Sequence, residues 1–249
     1  MSVLIDRVLF NNELYQKLTP WERDFLRSMS EVYRKRRSFT SKQKKRRSQN
    51  YRTANWGSEP GRLVQPEEMM ETVFLDTETT GLDDDAQVVE IAIVDSTGAV
   101  LFESLVKPTV PVDPEAAAIH GIGPERLASA PAWPEVSEQV RAALEGKRVV
   151  IFNSDFDLRI LHQTAEAHTE GQGVEAYDFA VRWILELETE CAMYRAADVF
   201  GATNQYGTIS LVNAAAAAGI EFQGRAHSAA GDAATTAALW RVMEKPIER

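Results

Sequence analysis

Apolar residues form short runs that alternate with amphipathic stretches from residue 71 to the end of the chain. Four of these runs are typical of strands: 71–77, 87–95, 99–107 and 148–153. Ser96-Thr97-Gly98 is a turn between the second and third runs, which predicts an antiparallel hairpin. Helices are expected in five places: from Pro134, from the end of the 148–153 strand to about His168, and over 191–200, 208–218 and 229–244. This order predicts an α/β fold with a mixed sheet covered by helices.

A separate helical pattern occupies residues 12–36. Thr19 is the predicted N-cap, Pro20 takes the first helical position, and Glu22 closes a capping box. An apolar stripe follows at helical spacing: Trp21, Phe25, Met29, Val32 and Tyr33. We therefore predict a basic helical extension over 1–52, a linker over 53–70 and a catalytic domain over 71–249.

The stretch from Arg34 to Arg52 contains ten basic residues in nineteen and no acidic one. One interpretation is a solvated tether. The other is an arm that follows nucleic-acid phosphates, with Phe39 and Tyr51 as stacking groups. The arm residues in this second interpretation are Arg34, Arg36, Arg37, Lys44, Lys45, Arg46 and Arg47.

Composition limits the class of protein. The chain has 249 residues, a hydrophobic content of 44% and a single cysteine, which excludes an internal disulfide. It has no apolar run of about 18 residues and no signal-peptide pattern, so we expect a soluble, cytoplasmic protein without a membrane partner. The net charge of −10 is uneven: residues 1–70 carry +7 and residues 71–249 carry −17. A basic extension on an acidic body favours an anionic partner.

Candidate chemistry begins at the end of the first strand. Strand alternation places Asp76 and Glu78 on one face, with Thr77 on the other. Two neighbouring carboxylates on a buried strand repel each other and lose solvation. The pair is tolerable when one group is protonated or when a cation lies between them.

Two further segments bring more acids to helix starts. The 148–153 strand leads into a helix whose first turn contains Asp155 and Asp157, and His227 precedes Asp232 at the start of the last helix. Taken one at a time, these residues fit the ordinary preference of helix N-termini for acids.

Together and in this order, the segments resemble the DEDDh family of 3′→5′ exonucleases. The matching segments are FLDTETTGL (74–82), AIHGI (118–122), FNSDFDLRIL (152–161) and HSAAGDAATTAAL (227–239). The resemblance covers about residues 72–244. It implies a ribonuclease H-like fold, a mixed five-stranded sheet flanked by helices.

The resemblance also implies roles for individual residues. Asp76, Glu78, Asp157 and Asp232 would bind two divalent cations, and oxygen ligands favour Mg²⁺ or Mn²⁺. His227 would be the general base. Residues expected to contact the substrate are Thr79, Leu82, His120, Ile122 and Asn153. The two cations would stabilise the attacking and leaving oxygens of an in-line displacement at phosphorus.

Some positions depart from the family pattern. Phe152 replaces a His found in many relatives, and Gly231 replaces an acid, which is expected to loosen the last helix start. Thr79 replaces the Met typical of oligoribonucleases, which favours the DNA-directed branches, exonuclease X and polymerase proofreading domains. The expected substrate is single-stranded DNA or a frayed 3′ end, with RNA as the alternative. Two other possibilities stay open: a catalytically silent binding module, and a proofreading subunit that binds a polymerase or other repair protein through the N-terminal helices.

Overall fold

The computed structural model describes residues 70–169 and 171–244. The chain divides into two units, 1–70 and 71–249, and the description below concerns the second. The predicted basic helical extension, with its arm, and all of the predicted linker except residue 70 lie outside the described residues. Among the described residues, no helix is long and apolar enough to cross a membrane.

The centre of the described unit is a five-stranded sheet with the order β3-β2-β1-β4-β5. Its strands are β1 (Thr72–Thr79), β2 (Val88–Asp95), β3 (Val100–Leu105), β4 (Arg148–Ile151) and β5 (Glu188–Cys191). The strands β1, β2 and β3 are successively antiparallel, whereas β4 is parallel to β1 and β5 is parallel to β4. The predicted mixed sheet is therefore confirmed.

Eight helices lie between or after these strands along the described part of the chain. They are α1 (Pro114–His120), α2 (Pro124–Leu127), α3 (Trp133–Leu144), α4 (Ser154–Ala167), α5 (Val174–Leu185), α6 (Ala192–Phe200), α7 (Leu211–Ala218) and α8 (Ala229–Glu244). The short helix α1 begins where the sequence supplies a cap, because the Asp113 side chain accepts a hydrogen bond from the Glu115 N–H and Pro114 follows it.

One face of the sheet packs against α8. Phe74, Val94 and Val150 are register partners on neighbouring strands and belong to the same buried cluster as Trp240 of α8. The rings of Phe74 and Trp240 meet edge to face, with 6.5 Å between centroids. Small residues in α8, such as Ala233 and Ala237, are fully buried, which lets the helix lie close to the strands.

The opposite face is covered by α4. This helix contacts β1, β2 and β4, yet none of its buried residues belongs to the α8 cluster. Thr164 of α4 accepts a hydrogen bond from the Val88 N–H at 2.9 Å and so fixes the start of β2. The strands β1 and β4 are parallel neighbours, and α4 follows β4. The C-terminal end of β1 and the N-terminal turn of α4 therefore lie at the same edge of the sheet, the one formed by the C-terminal ends of these strands. The candidate site is at this edge.

All four strands predicted from the apolar runs are present, with ends within two residues of those predicted. The helices α3, α4, α6, α7 and α8 are also confirmed. The short strand β5 and the helices α1, α2 and α5 were not predicted from the pattern. The fifth strand had been expected from the family resemblance alone.

Candidate active site

Two acids at the end of β1 face α8. Asp76 and Glu78 follow Phe74 at alternate positions, so they share the face that packs on α8. Burial, followed by repulsion from Asp157, Asp232 and other nearby acids, raises the pKa of Asp76 well above its usual value. Burial and repulsion from Asp232 and Glu90 raise the pKa of Glu78 to about 8. Both carboxylates are therefore costly to ionise in the absence of a cation.

Asp157 joins this cluster from the first turn of α4. Its Oδ1 accepts hydrogen bonds from the Thr77 backbone N–H at 3.1 Å and from the Thr77 hydroxyl at 2.8 Å. Burial raises the pKa of Asp157 to about 7, although the two Thr77 bonds act in the opposite direction. Its neighbour Asp155 instead acts on Cys191, where its charge helps to raise the thiol pKa. Asp157 is thus the acid of this turn that lies with the β1 carboxylates.

The start of α8 brings a third acid and the imidazole. Ligand atoms of Glu78, His227 and Asp232 all lie within 4.8 Å of one another. The backbone N–H of His227 donates to Asp232 Oδ1 at 3.2 Å. Burial raises the pKa of Asp232, and the nearby His227 partly offsets that effect. His227 also has a left-handed backbone with φ of 59°, a conformation that is rare outside glycine and often marks functional sites.

The donor set fits a divalent cation. Carboxylates with raised pKa values destabilise one another when ionised, and a cation among them removes that repulsion. Carboxylate oxygens are hard ligands that suit Mg²⁺ or Mn²⁺. The sequence-predicted residues Asp76, Glu78, Asp157, Asp232 and His227 are therefore assembled at one place from β1, α4 and the start of α8.

The residues expected to contact substrate differ in how far they are exposed to solvent. Leu82 is 78% exposed on the loop after β1, and Asn153 is half-buried at the start of α4. Thr79 is buried, and its hydroxyl donates to the Gly81 carbonyl at 2.8 Å. Ile122 is 1% exposed and packs with Val89 and Leu127. Their contacts with a substrate stay predictions.

The His120 side chain links the end of β1 to the loop after α1 through two hydrogen bonds. Its Nδ1 accepts from the Ile122 N–H at 3.0 Å, so its Nε2–H donates to the Thr79 carbonyl at 3.1 Å. The ring is buried, and burial lowers its pKa. His120 is therefore held in a neutral form between the end of β1 and the loop after α1, and a direct role for it in substrate binding also stays a prediction.

Three polar residues near the site were missed by sequence reasoning. Glu90 of β2 is buried and accepts a hydrogen bond from the Ala229 N–H at 2.9 Å. Arg225 donates to the His120 carbonyl at 2.6 Å, and its charge lowers the pKa of Glu78. Arg159 donates to the Asp83 carbonyl at 3.0 Å and so holds the loop that bears Leu82. A signal for Glu90 existed, since it is the one charged residue inside the run VVEIAIV.

Steric crowding explains why position 231 is a glycine. A Cβ at Gly231 would lie 2.3 Å from the Arg225 carbonyl oxygen and 2.9 Å from the Ser228 hydroxyl. The missing side chain is what permits this close backbone approach, and the expectation that Gly231 loosens the start of α8 stays a prediction. Gly231 lets the 223–225 segment lie directly against the helix.

Comparison with known proteins identifies the family. The RNase T model, described as an exonuclease, matches residues 73–240. The chain belongs to this exonuclease family. An uncharacterized exonuclease, CP81, of Escherichia phage 186 is 38% identical over 176 residues, covering 70% of this chain and 88% of the phage protein.

Other members of the family extend the comparison. The DNA polymerase III epsilon subunit of Pasteurella multocida is 35% identical over 96 residues, which are 34% of this chain and 38% of that subunit. Exonuclease X, solved with 5′-overhanging duplex DNA, has a TM-score of 0.51 and 26% identity over 69% of this chain and 90% of its own. The ribonuclease H-like fold expected from the sequence is thus that of its exonuclease relatives.

Proposed function

We propose that this exonuclease removes nucleotides one at a time from the 3′ end of single-stranded DNA and releases 5′-mononucleotides. The observation that carries the proposal is the cluster of Asp76, Glu78, Asp157, Asp232 and His227 at one edge of the sheet. These are the residues that the DEDDh resemblance requires, in the required order. A silent binding module would have no reason to keep them together.

Each residue of the cluster has a distinct task in this proposal. Asp76, Glu78, Asp157 and Asp232 would hold two Mg²⁺ or Mn²⁺ ions, which supply Lewis acidity at the scissile phosphate when bound. Asp157 is oriented by Thr77 through two hydrogen bonds. Asp232 is oriented by the His227 N–H. Two of the four proposed ligands are therefore held by hydrogen bonds before any cation arrives, which lowers the cost of ordering them.

His227 is the proposed general base. Its side chain is exposed at the start of α8, and its ring reaches within 4.8 Å of the Glu78 and Asp232 carboxylates. An imidazole there is within reach of a water that attacks the phosphate, and it can accept a proton from that water. The backbone of His227 is left-handed, and its N–H donates to Asp232, one of these carboxylates.

Support for DNA comes from the relatives. The named relatives are a polymerase III epsilon subunit and an exonuclease X solved on DNA, and Thr79 resembles the motif of such DNA-directed branches. A single strand or a frayed end suits a site that a terminal nucleotide must enter unpaired. RNA is the alternative substrate, since a 2′-hydroxyl contact would decide between them. We expect the protein to work in the cytoplasm.

The basic arm completes the proposal. Arg34–Arg52 carries ten positive charges and would hold the DNA backbone, while residues 71–249 carry −17. In the alternative, the Trp21 stripe docks the chain on a polymerase or another repair protein. Co-purification from the native host, followed by gel filtration, separates a stand-alone enzyme from a subunit.

Incubation with labelled oligonucleotides tests the reaction. Single-stranded DNA and RNA of equal sequence carry a 5′ label and are mixed with the protein and Mg²⁺ or Mn²⁺. We expect the DNA to shorten as a ladder, no cleavage in chelator and no cleavage by Asp76→Asn. Cleavage that survives chelation, or products shortened from the 5′ end, would contradict the proposal. Faster cleavage of RNA would assign the alternative substrate.

A further inference from the structure

The buried acid Glu90 has no task in the proposed chemistry. It lies near the start of β2, a strand with a neighbour on each side, and is 7% exposed. Among residues 70–169 and 171–244, no lysine or arginine forms an ion pair with it. Burying an unpaired carboxylate is costly, so a residue kept in this position needs a compensating interaction.

The compensating interaction is with the first turn of α8. Glu90 Oε2 accepts a hydrogen bond from the Ala229 N–H at 2.9 Å, across 139 positions of sequence. The early N–H groups of a helix have no partner within the helix, and a carboxylate also interacts favourably with the helix dipole. The Ser228 hydroxyl accepts from the Gly231 N–H at 3.3 Å, so the two acceptors share the donors of this turn.

The location of this bond relates it to the candidate site. Ala229 lies two residues after His227 and three before Asp232. In the antiparallel pairing of β1 with β2, Glu90 stands directly opposite Glu78. One carboxylate from the sheet therefore fixes the helix turn that bears His227 and Asp232, next to the strand residue that bears Glu78.

We propose that Glu90 is a positioning residue, whose hydrogen bond to the Ala229 N–H sets the start of α8 so that His227 and Asp232 meet Glu78. The inference rests on the proposed function and adds a residue outside the four carboxylates and the histidine. The geometry of the bond is what matters, and the negative charge of Glu90 is not required. A displacement of about 1 Å at a reacting group can cost on the order of 10²-fold in rate.

Two conservative variants separate bond from charge. Glu90→Gln keeps an acceptor of the same reach and loses the charge, whereas Glu90→Asp keeps the charge on a side chain one methylene too short. We expect the Gln variant to keep kcat within about 3-fold of wild type and the Asp variant to lose about 10–100-fold, with KM for the oligonucleotide unchanged in both. Ser210→Ala is the matched control, because it removes a side-chain acceptor from the Asn213 N–H at the start of α7. Its kcat should not change.

Hydrogen exchange measures the bond without catalysis. In metal-free protein, the Ala229 amide should exchange at least about 10-fold faster in Glu90→Asp than in wild type, and at the wild-type rate in Glu90→Gln. An Asp variant with wild-type kcat and wild-type exchange overturns the inference, and so does a Gln variant that loses as much kcat as the Asp variant. A wild-type protein that cleaves nothing overturns the proposed function instead, while the exchange experiment still decides the role of Glu90.

Discussion

Buried carboxylates that also repel one another make the metal-free site sensitive to pH. The pKa of Glu78 is raised to about 8 and that of Asp157 to about 7, whereas both groups ionise near 4 in an unfolded chain. Between these values the folded protein binds more protons than the unfolded one. The free energy of unfolding therefore falls as pH rises from about 4 to 8. This is the reverse of the usual behaviour of a salt-bridged acid.

We predict that the Tm of the protein in chelator falls by on the order of 5 °C between pH 5 and pH 8, and that Glu78→Gln flattens this fall. Saturating Mg²⁺ should also make the fall in Tm smaller, because the cation takes the place of the protons among the carboxylates. Thermal unfolding at several pH values measures the effect. Asp178→Asn, which removes an exposed acid paired with Arg182, serves as the control and should leave the slope unchanged. A Tm that rises over this range, and rises equally in Glu78→Gln, would contradict the raised pKa values of these buried acids.

His227 gives the second prediction at this scale. His227→Ala should lower kcat by about 10²–10⁴-fold, the usual contribution of a positioned general base. Metal affinity should change little, since the carboxylates remain. His162→Ala, at a histidine that contacts Tyr177 on α5, should retain full activity. If His227→Ala instead loses metal affinity and keeps its maximal rate, the imidazole is a ligand.

At the scale of elements, the start of α8 is the most constrained segment around the site. Gly231 has the Arg225 carbonyl where its Cβ would be, and Glu90 holds the turn from the other side. Gly231→Ala should therefore cost about 1–3 kcal/mol of stability and lower kcat, because the 223–225 segment must move. Gly123→Ala, where a Cβ meets nothing within 4 Å, should cost less than about 1 kcal/mol. Urea unfolding of both variants checks the difference.

The sequence predicted the elements that carry a strong pattern. The apolar runs of β1, β2, β3 and β4 have the composition of buried strands, and alternation on β1 was enough to place Asp76 beside Glu78. The strand β5 (ETEC) is short and polar, because it lies at the edge of the sheet and pairs with β4 alone. Local pattern could not find it.

Contacts between distant segments were beyond the sequence pattern. The Glu90 bond to Ala229 and the close approach of Arg225 to Gly231 depend on how α8 meets the sheet. The left-handed backbone of His227 likewise follows from the turn into α8. The residue types of the site were predictable from the order of the motifs. The contacts that orient these residues were visible only in the structure.

At the scale of the whole molecule, charge separates the two units. Residues 71–249 carry −17 and residues 1–70 carry +7, with ten basic residues between Arg34 and Arg52. If DNA is the substrate, as proposed, the negative charge of residues 71–249 would repel it, so the first unit should contribute much of the affinity.

Removal of residues 1–60 should leave cleavage chemistry intact and weaken DNA binding. If about five arm charges meet phosphates on a single strand, the slope of log affinity against log salt should be about 3.5 more negative in the intact protein. Binding is measured with Ca²⁺ in place of Mg²⁺, to prevent cleavage. The control is the intact chain with Arg36, Arg37, Lys45, Arg46 and Arg47 changed to Gln, which should match the truncation. Equal slopes for intact and truncated proteins would indicate a tether or a protein-docking segment.

The site is built from residues 76, 78, 157, 227 and 232. The helix α8, which bears Asp232, also supplies Trp240 to the core. During synthesis, the ribosome completes β1 and its two acids long before α8 exists. A nascent chain therefore has no assembled site until the final helix has left the exit tunnel and docked on the sheet. Prematurely terminated products that end before α8 would lack Asp232, one of the four proposed metal ligands, and the part of the core that α8 supplies.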